Sequence, residues 1–165
     1  MRRRRDEDDA SYEWFFRDEF PRVVKTVYLI VRDSQTAEDI AQEAFARLLV
    51  HWAKVSRYEQ PDAWVRRIAI RMAVRANRRA WIRSRVEGVV EPPVQERPQD
   101  VDLMRAITSL PGSQRAAIVL FYYEDQPTAQ IAEILGCSES TARVHLHKAR
   151  RRLARVLDRS VIDAP

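Results

Sequence analysis

The chain has 165 residues, 32% of them charged, with a net charge of +5 and a pI near 9.8, so it can form one ordinary domain or two small ones and suits a polyanionic partner such as nucleic acid. Its single cysteine, Cys137, excludes an internal disulfide and any multi-cysteine zinc site. No apolar run approaches membrane-spanning length and residues 1–5 are not followed by the apolar core of a signal peptide, so a soluble, cytoplasmic protein without membrane contact is expected.

Three glycines and almost no period-two alternation point to an all-α chain. Residues 1–10 set four arginines against Asp6, Glu7, Asp8 and Asp9, which reads as a frayed terminus or, alternatively, an arm that grips phosphate. A helical pattern starts at Ser11, with Trp14, Phe15, Phe20, Val24, Val27, Tyr28 and Val31 as its apolar side and Pro21 as a kink or division point. Arg32-Asp33-Ser34 breaks it, and Thr36 is the expected N-cap of the next helix, with Glu38 and Asp39 in its first turn. That helix, about residues 37–52, turns Ile40, Ala44, Phe45, Leu48, Leu49 and Trp52 inward. Asp39, Gln42, Glu43 and Arg47 face outward, either as ordinary solvating charges or as a partner surface.

Residues 54–62 form a polar loop in which Arg57 and Tyr58 suit contact with bases and phosphates. The helix after it, about residues 62–82, has Trp64, Ile68, Met72 and Ala76 on its expected buried side. Arg66, Arg67, Arg71, Arg75, Arg78, Arg79 and Arg83 give it seven cations and no acid between residues 63 and 83. So one-signed a helix favours binding to a phosphate backbone over a merely solvated face. Trp81 can stack on an unpaired base or fill a core or interface. Residues 84–100 lose periodicity, carry Pro92, Pro93 and Pro98, and set two basic residues against four acidic ones, the composition of a flexible acidic linker.

A helix over about residues 101–110 uses Leu103, Ile107 and Leu110. Pro111-Gly112-Ser113 ends it, and another runs to Tyr123 with Ala117, Ile118, Phe121 and Tyr122 available for packing. After the turn Asp125-Gln126-Pro127, Ile131, Ala132, Ile134 and Leu135 mark a short helix that Gly136 stops in a left-handed conformation. Ser138 caps the next helix, with Glu139 at its positive end. Ala142, Leu146, Ala149, Leu153 and Val156 make its buried seam, and Arg143, His147, Lys148, Arg150 and Arg151 its opposite side. From residue 139 to 155 six basic residues stand against one acid. An Arg-rich run alone is usually a solvated face. Following a small-residue turn and a first helix of the right length, it reads as a helix-turn-helix whose second helix enters a DNA major groove. Residues 160–165 are expected to fray.

The stretches TAEDIAQEAFARLLVHW, PDAWVRRIAIRMAVRANRR and LPGSQRAAIVLFYYEDQPTAQIAEILGCSESTARVHLHKARRRL, in this order and spacing around an acidic linker, resemble the small two-domain extracytoplasmic-function sigma factors of bacterial RNA polymerase, with actinobacterial traits in FYYED and LGCS. The resemblance covers about residues 11–159. It implies a polymerase-binding and −10 domain at residues 11–83, a linker at 84–100 threaded through the RNA exit channel, and a −35 domain at 101–159. Asp39, Gln42 and Glu43 would dock on the clamp helices of the largest subunit of core polymerase. The loop with Arg57 and Tyr58 would capture a flipped −10 base, and Arg66, Arg67, Arg71, Arg75 and Arg78 would hold the strand backbone. Arg143, Val144, His147 and Lys148 would read the −35 element, with Ser140, Thr141 and Arg151 near phosphates. An anti-sigma factor is an admissible further partner.

Two departures stand out. Pro127 takes the place of a frequent serine cap, and Ala142-Arg143-Val144-His145 replaces a commoner Val-Arg/Lys-Ser-Arg, which should alter promoter preference. A repressor that binds intact duplex without joining polymerase is the alternative, but it leaves the arginine helix and acidic linker unexplained. An enzyme fits poorly: there is no nucleotide-binding loop, Asp39 and Glu43 make a weak carboxylate pair, and His145 and His147 diverge on a helix and make a poor metal pair. No catalytic residue, metal site or cofactor is expected.

Overall fold

The computed structural model describes residues 2–87 and 101–162, and every regular element within them is helical. Most of the acidic linker and the last three residues lie outside the described residues, as does the side chain of Trp81.

Helix α1 spans Arg2–Val31. The terminus expected to fray is therefore helical from its second residue. Pro21 neither divides the helix nor ends it; lacking an amide hydrogen, it removes one rung of the ladder. The helix ends at Arg32, whose φ of 66° is left-handed and whose amide donates to the Tyr28 carbonyl at 2.8 Å. Helix α2, Ser34–Val55, is capped by Asp33 rather than by Thr36: the Asp33 carboxylate accepts the Thr36 amide at 2.7 Å. That satisfies one of the amides a helix start leaves without an intrahelical partner. Helix α3 covers Pro61–Glu87, with Pro61 in the first position, where a missing N–H costs nothing.

These three helices pack on one another around Val23, Val27, Ile30, Ala41, Ala44, Phe45, Leu48, Val65 and Ala69. Phe15, Phe16, Phe20, Phe45 and Trp52 interlock at one end through edge-on, stacked and tilted ring contacts. The expected inward face needs three corrections. Trp14 is 72% exposed, Leu49 is 51% exposed, and the buried stripe of α3 is Val65, Ala69, Ile70 and Ala73, with Trp64, Ile68, Met72 and Ala76 only half-buried. Periodicity places a helix face to within about a residue. On α3, which is packed from two sides, that margin decides which side chains are covered.

The second group comprises α4 (Val101–Thr108), α5 (Gly112–Ile118), a π-helical turn (Val119–Tyr123), α6 (Thr128–Leu135) and α7 (Glu139–Ile162). Leu103, expected in the core, is exposed, while Ala106, Thr108 and Leu110 are buried. The single helix expected up to Tyr123 widens into π geometry, with the Glu124 amide donating to the Val119 carbonyl at 3.1 Å. A π turn inserts an extra residue into the helical register, and within it Tyr122, expected to be available for packing, is largely exposed, as is Tyr123.

The helix-turn-helix agrees closely with the pattern. Gly136 caps α6 at φ 67°, ψ 38°, and its amide and that of Cys137 close the last turn. Pro127 offers α6 no side-chain cap. Ser138 Oγ accepts the Thr141 amide at 3.1 Å at the start of α7. Ala142, Leu146 and Ala149 are buried and Leu153 half-buried, whereas Val156 is exposed, so the seam ends one turn early.

Candidate nucleic-acid interface

Burying Ala142, Leu146 and Ala149 against α5 and α6 fixes which side of α7 faces water. On that side Ser140, Thr141, Arg143, Val144, His147, Lys148 and Arg151 are all exposed. Spacings of three and four bring Ser140, Val144, His147 and Lys148, and Arg151 beyond them, onto one face. Arg143 is ion-paired with Glu139 one turn earlier, an exposed pair of little stability value that a base edge can replace. Arg150 is exposed but engaged: its guanidinium lies 5.0 Å from the Phe121 ring centre and its Nε donates to the Tyr122 hydroxyl at 2.8 Å. It braces α7 on the π turn rather than extending the reading face.

The second basic surface belongs to α3. Arg67, Arg75, Arg78 and Arg79 are exposed, and Arg66 and Arg71 half-buried. The loop before α3 narrows to residues 56–60 and presents both Arg57 and Tyr58 to solvent, Tyr58 being 41% exposed. Arg67, Arg71, Arg75 and Arg78 fall one turn apart and make a continuous cationic line. Arg66 pairs with Asp62, one turn back on α3. Its Nε also lies 3.8 Å from Glu124, and Arg71 pairs with Glu133 at 2.7 Å. Both of these acids belong to the second helical group.

That group reaches α1 and α3 through a residue the pattern did not single out. Arg115 is 2% exposed. Its Nε donates to the Ile30 carbonyl at 2.8 Å, Nη1 to the Leu110 carbonyl at 2.8 Å and Nη2 to Asn77 Oδ1 at 3.1 Å. The Ile30 carbonyl lies in the last turn of α1, where unpaired acceptors and the negative end of the helix dipole favour a cation. Gly112 allows the close approach, since a Cβ there would lie 2.5 Å from Asn77 Nδ2. A signal existed in the sequence: Arg115 is a lone charge in the apolar stretch that ends at Phe121. Beside it, a cleft of about 380 Å³ is lined by Val74, Asn77, Arg78, Gln114, Leu135 and His145, among others. Burial, reinforced by the charge of Lys148, holds the His145 pKa below its usual value. Burial raises the Cys137 thiol, against a smaller lowering by Arg78.

The third face is the outer side of α2, where Asp39, Gln42 and Glu43 are exposed together with Ala46, Leu49 and Val50. Asp39 accepts a hydrogen bond from Gln35 and Glu43 pairs with Arg47, both one turn apart on the same helix. The exposed Leu49 extends this acidic face with apolar area, as suits a protein partner more than a nucleic acid. Among the described residues no cluster of three or more His, Cys, Asp or Glu could hold a metal ion, and no helix is long and apolar enough to cross a membrane.

A helix-turn-helix with an exposed basic reading face, joined to a helical group with a second basic face and an acidic-apolar one, defines a DNA-binding protein with a further protein partner. Residues 15–83 match the family model Sigma-70 region 2, and residues 100–153 match Sigma-70, region 4. The chain is 29% identical to the RNA polymerase sigma-E factor of Streptomyces coelicolor, over 93% of this chain and 90% of that protein. It is 30% identical to the ECF RNA polymerase sigma factor SigM of Mycobacterium tuberculosis, over 91% of this chain and 79% of that one. In fold it is similar to the sigma factor RpoE from Bartonella quintana, solved in complex with the anti-sigma factor NepR, at 23% identity and a TM-score of 0.65, covering 90% of this chain and 97% of that chain. The chain belongs to the extracytoplasmic-function sigma factors of RNA polymerase, non-enzymatic factors of transcription initiation.

Proposed function

We propose that the chain divides promoter recognition between its two basic faces and holds core polymerase with the third. Residues 11–83 form the polymerase-binding and −10 domain, 84–100 the linker and 101–159 the −35 domain. In this reading Asp39, Gln42 and Glu43 contact the clamp helices of the largest polymerase subunit. Arg57 and Tyr58 take an extruded −10 base, the tyrosine ring offering a stacking surface, and Arg66, Arg67, Arg71, Arg75 and Arg78 follow the strand's phosphates. Helix α7 enters the major groove. There Arg143, Val144, His147 and Lys148 face base edges, and Ser140, Thr141 and Arg151 face the backbone.

The observation that carries the reading is the geometry of α7. Seven residues of the assigned type are exposed on a helix whose opposite seam, Ala142, Leu146 and Ala149, is buried. No group poised for catalysis is assigned a role; strand opening draws on binding energy, in the cytoplasm where polymerase works. An anti-sigma factor is a candidate partner, since the Bartonella protein was solved with one. A duplex-binding repressor leaves the region 2 match and the α3 arginines without a task.

Transcription by purified core polymerase on a genomic promoter library, with and without the protein, tests the function. Initiation at a defined set of promoters only when the protein is present is the expected result. A protein that binds duplex but never directs initiation would overturn it.

A further inference from the structure

The second helical group meets α1 and α3 along a joint that Arg115 bridges, and beside Arg115 the two groups leave a cleft of about 380 Å³. That volume lies within the roughly 300–1,000 Å³ of small-molecule sites. One wall comes from α3, the other from α5, the end of α6 and α7.

The lining has a definite chemistry. Among the described residues Arg78 is its one cation, and no acid joins it. Arg78 is exposed and, among the described residues, makes no ion pair or hydrogen bond. Burial, reinforced by the charge of Lys148, lowers the His145 pKa and leaves a neutral ring with one donor and one acceptor. Val74, Ala116 and Leu135 add apolar surface. Gln114, also in the lining, is 7% exposed, and its Oε1 is buried without a hydrogen-bond partner. Buried polar groups are nearly always paired, so this oxygen is an acceptor in want of a donor. Asn77 is already fixed, because Arg115 donates to its Oδ1 at 3.1 Å, so the α3 wall is formed before anything binds.

We propose that this cleft binds a small organic acid: a carboxylate on an apolar body that also carries one hydrogen-bond donor. The carboxylate pairs with the Arg78 guanidinium, whose fork holds both oxygens at once. The body lies against Val74, Ala116 and Leu135, and a rotation of the Gln114 amide presents its Oε1 to the donor. Arg78 repels a cation of the same shape. A bare inorganic anion leaves the apolar wall and Gln114 unused. Because the acid touches both helical groups, it stabilises the joint in proportion to its occupancy. The site stands independently of the −10 reading; where both hold, acid and strand share Arg78.

Indole-3-acetate is the probe, since it carries a carboxylate, an apolar ring system and one N–H. Amide correlation spectra of the isotope-labelled full chain follow its titration. Saturable shifts at the cleft, including the side-chain amides of Asn77 and Gln114, are the expected result. Acetate, which lacks the body, and tryptamine, which carries a cation in place of the acid, should bind roughly tenfold or more weakly. Arg78→Gln, at an exposed position, should weaken indole-3-acetate by a similar factor and remove its advantage over tryptamine. Gln114→Met, of similar volume, should weaken it roughly threefold or more, yet leave its N-methyl derivative unchanged. Ser113→Trp, at an exposed lining position, should obstruct the cleft and abolish the shifts while the rest of the spectrum stays native. Equal binding of acetate would reduce the site to a surface cation, and equal binding of tryptamine would exclude an acid; either overturns the proposal. So would an Arg78→Gln chain that binds as before, or no saturable shift with indole-3-acetate. Equal weakening of both indole forms by Gln114→Met would overturn the pairing with Gln114.

Discussion

Arg115→Ala puts the joint between the two helical groups to a quantitative test. Of the guanidinium's hydrogen bonds, those to the Ile30 carbonyl and to Asn77 Oδ1 cross the joint. A hydrogen bond to a charged group is worth about 1.5–3 kcal/mol net, and a buried acceptor left unsatisfied costs about 1–3 kcal/mol. Returning the charge to water on opening offsets part of this, which leaves on the order of 2–4 kcal/mol for the joint. The third bond, to Leu110, lies within the second group and should make the substitution destabilise that group as well. Hydrogen exchange resolved by segment is the assay. Amides at the C-terminal end of α1 and around Asn77 should lose protection by roughly 30- to 800-fold, which is 2–4 kcal/mol expressed as a ratio of populations. The hydrophobic end of the first group, around Phe45 and Trp52, should keep its protection. Arg115→Lys, which keeps the charge but loses the planar fork, should fall between. If Arg115→Ala leaves exchange unchanged near Asn77, or lowers it equally throughout the first group, Arg115 does not hold the two groups together.

Reversing Asp39 and Glu43 to lysine should weaken binding to core polymerase while the far-ultraviolet spectrum stays native, because both side chains are exposed; unchanged affinity would remove this face from the interface. Arg143→Ala should reduce discrimination between cognate and altered −35 duplexes by roughly 1–3 kcal/mol, whereas Arg151→Ala should weaken all sequences alike and flatten the salt dependence of binding. Equal losses for both variants on every sequence would refute the division into base and phosphate contacts. Hydrogen bonds from the Thr36 side chain and amide lower the Asp33 pKa, so the cap contributes fully above the unfolded-state carboxylate pKa and fades as pH falls through the depressed folded value. Denaturant unfolding of Asp33→Ala should therefore show a loss of about 1 kcal/mol at neutral pH, and the gap to the unsubstituted chain should close in acid.

The helix-turn-helix was legible because its determinants are local. Gly136 needs a left-handed backbone, Ser138 offers a side-chain acceptor three residues before an unpaired amide, and Ala142, Leu146 and Ala149 repeat at the helical period. Every α7 residue assigned to DNA is exposed for the same reason: one buried seam settles the other side. The misses share a different cause. Asp33 and Thr36 both suit the role of cap, and only the path of the chain leaving Arg32 decides between them. Leu49, Leu103 and Trp14 obey the apolar pattern yet are left exposed by the described residues around them. Arg115 is the reverse case, a cation buried because Ile30 and Asn77, far away in sequence, supply its acceptors. Periodicity within a segment carries no information about such partners.

The two basic faces differ in what the fold leaves available to DNA. On α7 each of the seven assigned residues is exposed, and the ion pair of Arg143 with Glu139 is local and at the surface. On α3 the arginines divide. Arg67, Arg75 and Arg78 are exposed, while Arg66 and Arg71 face acids of the second group, one of them the sheltered Glu124. In the reading proposed above, the α7 face meets intact duplex, whereas the α3 face takes an unpaired strand. Free duplex gives the −10 face little to work with in any case, because its bases are still stacked. In that reading the arginines that face Glu124 and Glu133 serve a later step, after polymerase has brought an opened strand within reach.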